Sequence, residues 1–115
     1  MPSPPLAPDD GPIDFAHLQR MTLGDASLEQ EVLAMFAAQA ASLLGTLATM
    51  PADAPALAHT LKGSARAIGA FAVADAAARL EAVIARGADP AEQLTELAEA
   101  VAAARTAIEA VLRRS

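Results

Sequence analysis

Apolar residues recur at spacings of three and four along most of this chain, and glycine, proline or aspartate closes each such stretch. That alternation marks helices separated by short connections. Ile13, Phe15, Leu18 and Met21 predict a short first helix with Asp14 as its cap. Gly24 breaks it, and Asp25 caps a second helix that runs to about Thr49. Val32, Phe36, Leu43, Leu47 and Met50 form the apolar face of that helix, beside a polar stripe of Gln39, Ser42, Thr46 and Thr49. Met50 to Pro55 is a tight connection in which Asp53 caps a third helix, with proline tolerated in the first turn; that helix ends at Gly69. A fourth, from Phe71 to Arg86, sets Val73, Ala77, Leu80 and Ile84 against Asp75, Arg79 and Arg86, and Gly87 stops it. The last opens on Asp89-Pro90-Ala91-Glu92, a cap, a first-turn proline and a capping-box glutamate. Leu94, Leu97, Val101, Ala104, Ile108 and Val111 then keep to one stripe.

Four long helices with brief connections predict an all-α fold, an antiparallel up-and-down four-helix bundle with a short additional N-terminal helix, over residues 13–115. Residues 1–12 hold five prolines and two aspartates, with neither a basic start nor an apolar run. They are expected to form a disordered Pro-rich leader rather than a signal peptide.

Composition narrows the function classes. Alanine fills about 32 positions against three Phe and no Trp or Tyr, which favours helix over strand. With no cysteine in the chain, disulfides, thiolate zinc sites, iron–sulfur clusters and a cysteine nucleophile are excluded. Fourteen acidic against eight basic residues give a net charge of −6, which argues against nucleic acid as a partner. Val32 to Ala52 is uncharged and long enough to span a bilayer, but its polar stripe makes it an amphipathic helix over a soluble core.

HExxH, ExxH, GxSxG and a phosphate-binding loop are all missing from the sequence. Asp14, Asp25, Glu29, Asp89 and Glu92 stand near helix starts, where the helix dipole favours negative charge. His17 is expected to be a partly exposed residue without chemistry, and Met21 and Met50 to fill the core.

The third helix departs from this pattern. At about 100° per residue, Leu57, Leu61, Ser64, Ala65 and Ile68 share one arc, and His59, Lys62, Gly63 and Arg66 share an arc nearly opposite. The imidazole is therefore expected in solvent, on a small positive face without a carboxylate, among the small residues Pro55, Ala56 and Gly63. Like charge from Lys62 disfavours imidazolium and leaves the neutral, nucleophilic ring. Lys62, one turn on, is placed to pair with an anion attached to that ring. A glycine inside an alanine-rich helix costs on the order of 1 kcal/mol relative to alanine, and no packing on the exposed face requires it. Something outside the core must account for Gly63.

These residues resemble the histidine-containing phosphotransfer (HPt) domains of bacterial multistep phosphorelays. The family signature H-x-x-K-G-x-x-x-x-x-G is matched by His59-Thr60-Leu61-Lys62-Gly63-Ser64-Ala65-Arg66-Ala67-Ile68-Gly69, preceded by Ala58. Leu23-Gly24-Asp25 and Leu80-Glu81 also look like family features, and the resemblance extends over about residues 13–113. The connection between the second and third helices is shorter than in many members. The resemblance implies that His59 is phosphorylated, that Lys62 holds the phosphoryl oxygens, that Gly63 keeps the face open, and that Arg66 adds positive field or contacts a partner. It implies a phosphorelay intermediate rather than an autonomous enzyme. Such a carrier accepts the phosphoryl group from a receiver-domain aspartate, or from a sensor histidine kinase or hybrid kinase, and passes it to the receiver aspartate of a response regulator. No cofactor is expected in this chain, Mg²⁺ being supplied by the receiver. A helical docking module that binds a receiver or kinase without carrying phosphate is the alternative. A small enzyme or metal protein is a third class, disfavoured because the inferred core holds almost no polar ligand. The remaining expectations are no nucleic acid, no membrane, a monomer, and a free-standing cytoplasmic shuttle.

Overall fold

In the computed structural model, which describes residues 11–114, the chain forms α1 (Phe15–Met21), α2 (Ala26–Leu47), α3 (Ala54–Ile68), α4 (Phe71–Ala85) and α5 (Ala91–Arg114). No strand occurs among the described residues. Residues 1–10 of the expected leader lie outside the described residues, as does Ser115 at the end of the expected domain.

Local chemistry sets most of these limits. Asp14 and Asp25 each stand in extended backbone before a helix, and their carboxylates accept the free N–H groups of His17 and Leu28. Asp53 does not cap as expected. Its backbone, at φ −93° and ψ 19°, is not extended, and its side chain makes no cap hydrogen bond. Pro55 stands in the first turn of α3, where its missing N–H would have had no partner within the helix. At α5 the helix begins one residue later than expected, with the Pro90 carbonyl accepting from Leu94 N–H and the Asp89 carboxylate accepting from Ala91 N–H. α2 ends at Leu47, short of Thr49, and Met50 takes a positive φ of 49° in the turn.

α2 packs on α3 and α5, and α4 packs on the same two helices, so the four long helices close a ring around one core. The pairing of α3 with α4 is the most extensive, and α1 packs against α3. Alanine at Ala40, Ala58, Ala65, Ala74, Ala77 and Ala104 lets the helices approach closely, while Leu33, Leu47, Leu61, Leu80, Leu97 and Ile108 supply the large buried side chains. The stripe expected on α5 is buried at Leu97, Val101, Ala104 and Ile108. On α2 the buried residues are Leu33, Phe36, Ala40 and Leu47, so the face is rotated from the expected one, with Val32 and Leu43 at its margin. The stripe of Gln39, Ser42, Thr46 and Thr49 is exposed, and two of its hydroxyls back-bond within the helix end, Thr46 to the Ser42 carbonyl and Thr49 to the Thr46 carbonyl. Met21 and Met50 are not core filler, being 56 % and 37 % exposed. Met21 ends the one-sided α1, and Met50 projects from the strained turn after α2.

Gly69 joins the helix that carries the motif to the rest of the fold. It terminates α3 with φ +89°, and Ala70 N–H donates back to the Ala65 carbonyl at 2.8 Å. Its own carbonyl accepts from Asp14 N–H at 2.9 Å. A Cβ at this position would lie 2.8 Å from the Asp14 carbonyl oxygen. Gly69→Ala should therefore destabilise the fold by about 1–2 kcal/mol through left-handed backbone alone, and further through the contact with Asp14. Gly63→Ala should instead stabilise it by up to about 1 kcal/mol, because a Cβ there meets no heavy atom within 4 Å. Denaturant unfolding of the two variants measures the contrast.

Candidate functional site

Ala58 and Leu61 are completely buried, and their neighbours in sequence are turned away from the core by the 100° step of the helix. His59 projects outward with 67 % of its side chain exposed. Lys62 does not stand beside it on an open face as expected. Its side chain is 18 % exposed and reaches across to α4, where Nζ donates to Glu81 Oε1 at 2.9 Å. The other oxygen of the same carboxylate, Oε2, lies 3.2 Å from His59 Nδ1. Thus the expectation of a positive face without a carboxylate is wrong. One glutamate from α4 faces both the imidazole and the ammonium, and the ring meets an anion as well as a cation.

The electrostatics follow from these distances. The hydrogen bond from Lys62 holds the Glu81 carboxyl below the usual carboxylate range; partial burial opposes this, and the charge of Lys62 and the nearby His59 add to it. A carboxylate can only accept, so Nδ1 of His59 carries the proton in this contact. In the neutral ring Nε2 then keeps its lone pair, on the edge that points away from Glu81. Gly63 is exposed, one turn past His59, and leaves open space above the helix. Arg66 is exposed two turns past His59 and makes no ion pair among the described residues. The structure therefore brings together His59, Lys62 and Glu81, with Gly63 beside them, and leaves Arg66 apart.

Between α2 and α3 lies an open groove of about 390 Å³ lined by Val32, Met35, Phe36, Ala67 and Ile68, with Gln39 and Ser64 as its polar members; His59, Lys62 and Glu81 do not line it. Met35 is 71 % exposed at its edge. His17 is part of the frame. Its Nε2–H donates to the Ala67 carbonyl at 3.1 Å, near the C-terminal end of α3, and its ring packs edge-on against Phe71 at 5.2 Å. It ties α1 to the junction of α3 and α4.

Glu81 is the site residue that the sequence reading named without assigning it a role. The signal lay in the helix pair: α3 and α4 fold back on each other at Gly69-Ala70, His59 stands ten residues before Gly69, and Glu81 stands eleven after Ala70. Residues at similar distances from such a turn lie side by side.

The Hpt domain family model matches residues 31–113, which include α3, α4 and the whole His59, Lys62 and Glu81 cluster. α1 and the first residues of α2 lie outside the matched range. No curated protein and no solved structure shows a significant match to the chain.

Since Lys62 is the first cause of the low Glu81 pKa, Lys62→Ala should move the Glu81 titration upward, toward the ordinary carboxylate value. Carboxyl-resolved NMR titration of the two proteins checks this. The sign for stability follows from the lowered folded value: the pairing stabilises the fold above the ordinary carboxylate pKa, and this contribution is lost as pH falls through the lowered one.

Proposed function

Because the chain belongs to the Hpt domain family, whose members carry out histidine phosphotransfer in phosphorelays, we propose that it is a phosphorelay intermediate in which His59 is the residue that accepts the phosphoryl group and passes it on. The observation that carries this reading is the geometry of one ring. His59 is two-thirds exposed, its Nδ1–H faces Glu81 at 3.2 Å, and Nε2 meets no hydrogen-bond partner among the described residues. A nucleophile needs an available lone pair and access to the electrophile, and both are present at Nε2.

On loading, Nε2 attacks the phosphorus of an aspartyl phosphate on a receiver domain. The Nε2–P bond forms, the acyl O–P bond breaks, and the receiver carboxylate leaves with the electron pair. The ring becomes a phosphoimidazolium whose Nδ1–H remains opposite the Glu81 carboxylate, so the positive charge develops beside an anion already in place. Delivery to a second receiver is the reverse. Nε2–P breaks, the ring leaves as neutral imidazole with its proton still on Nδ1, and the receiver aspartate forms the new O–P bond. A sensor histidine kinase or hybrid kinase is the other source of the group. The chain itself supplies position and orientation, and Mg²⁺ belongs to the receiver rather than to this chain.

Gly63 keeps the approach to His59 open, and the groove of Val32, Met35, Phe36, Ala67 and Ile68, which shares α3 with the histidine, gives the receiver an apolar surface. Exposed Arg66 contacts the acidic rim of that partner. We read the four long helices as antiparallel in an up-and-down order, a reading that their short connections support. Among the described residues no helix is long and apolar enough to cross a membrane, and we place the protein in the cytoplasm as a monomer.

Incubation with a phosphorylated receiver should label the chain with an acid-labile, alkali-stable phosphoryl group, and His59→Gln should abolish the label. Full labelling of that variant would refute the assignment, and an unlabelled wild type would leave only a docking module. A bulky residue in the open space, as in Gly63→Trp, should slow transfer at least tenfold, on the order of the loss from a small misplacement of reacting groups, with helical content unchanged by circular dichroism.

A further inference from the structure

The cation that the signature places beside His59 is already engaged. Lys62 is the single lysine of the chain, the other seven cations being arginines, and its ammonium donates to Glu81 Oε1 at 2.9 Å from a largely buried stem. A charge paired at that distance acts on a third group as a dipole rather than as a full charge. The nearest alternative on α3, Arg66, lies two helical turns beyond His59.

Resting on the phosphocarrier reading, we propose that Glu81 biases the site toward release: by keeping hold of both Lys62 and the His59 Nδ1–H, it leaves a phosphoryl group on Nε2 weakly held and ready to leave. The carboxylate attracts the positive charge of the phosphorylated ring, and three other effects of the same side chain outweigh that attraction and favour release. The carboxylate competes with the phosphoryl oxygens for Lys62. It repels the negative charge of the phosphoryl group itself. It also retains the proton on Nδ1, so that the ring departs as neutral imidazole rather than as imidazolate when the N–P bond breaks. On delivery the electron pair of the Nε2–P bond stays on Nε2, the receiver oxygen gains the phosphorus, and no proton enters or leaves the site. A lysine serving the phosphoryl group alone would make the chain a reservoir. A lysine shared with Glu81 makes it a relay that empties.

Glu81→Gln removes the negative charge and the oxygen that holds Lys62, while the remaining amide oxygen still accepts from Nδ1–H. The wild type and the variant are each brought to equilibrium with a phosphorylated receiver, the distribution of label between the two proteins is measured, and the lifetime of each isolated phosphoform is followed. Glu81→Gln is expected to shift the distribution toward this chain by about fivefold, the scale of one partly exposed charge interaction, and to lengthen the lifetime. Lys62→Ala should shift the distribution toward the receiver, and more in the Glu81→Gln background than in the wild type, since only there is the lysine free to serve the phosphoryl group. A labelled chain whose distribution is unmoved by Glu81→Gln, or moves toward the receiver, overturns this inference while leaving the carrier reading intact. Equal effects of Lys62→Ala in the two backgrounds overturn the competition for the lysine. A wild-type chain that takes no label overturns the carrier reading and this inference with it.

Discussion

Burial of Ala54, Ala58, Leu61 and Ala65, each at most 1 % exposed, fixes the rotation of α3 about its own axis. Turning that helix by one residue would carry His59 or Lys62 into the core, where an uncompensated polar or charged group is costly. Leu61 alone contributes roughly 2 kcal/mol of apolar burial, and the alanines on either side let α2 and α4 come close enough to enclose it. The site is thus a by-product of packing. His59 follows Ala58 and must face solvent; Lys62 follows Leu61 and emerges at the seam with α4. Gly69 ends the helix at the one place where its carbonyl can take the Asp14 N–H, which docks α1 without covering the histidine.

What converts this geometry into chemistry comes from the neighbouring helix. The carboxylate of Glu81 spans the seam to both His59 and Lys62. It sets which ring nitrogen carries the proton and holds the Lys62 ammonium. A chain of net charge −6 therefore does not present a simple positive spot around His59. It presents a neutralised pair with an exposed imidazole edge, bordered by open space over Gly63.

Features that depend on a few consecutive residues were readable from the sequence. Asp14 and Asp25 cap as expected, Gly69 ends α3 in a left-handed turn, and the stripe of α5 is buried at its central positions. The outward projection of His59 followed from the helical period alone. Features that depend on how helices are placed against each other were not readable. The inner face of α2 centres on Leu33 and Ala40 rather than on Val32 and Leu43, because two flanking helices choose among nearly equivalent apolar positions. Met21 and Met50 fit their stripes but stand at the surface, outside the core. Asp53 has the right residue type for a cap and the wrong backbone. The pairing of Lys62 with Glu81 needed the register of α3 on α4, which no local pattern encodes.

All of these roles meet at one proton. Nitrogen-15 NMR of the His59 imidazole distinguishes its two tautomers and, in the phosphorylated chain, shows which nitrogen bears phosphorus. With Glu81 accepting from Nδ1, the neutral ring should carry its proton on Nδ1 and the phosphoryl group should appear on Nε2. A neutral ring protonated on Nε2, or a phosphoryl group on Nδ1, would contradict the arrangement of His59, Lys62 and Glu81 described above.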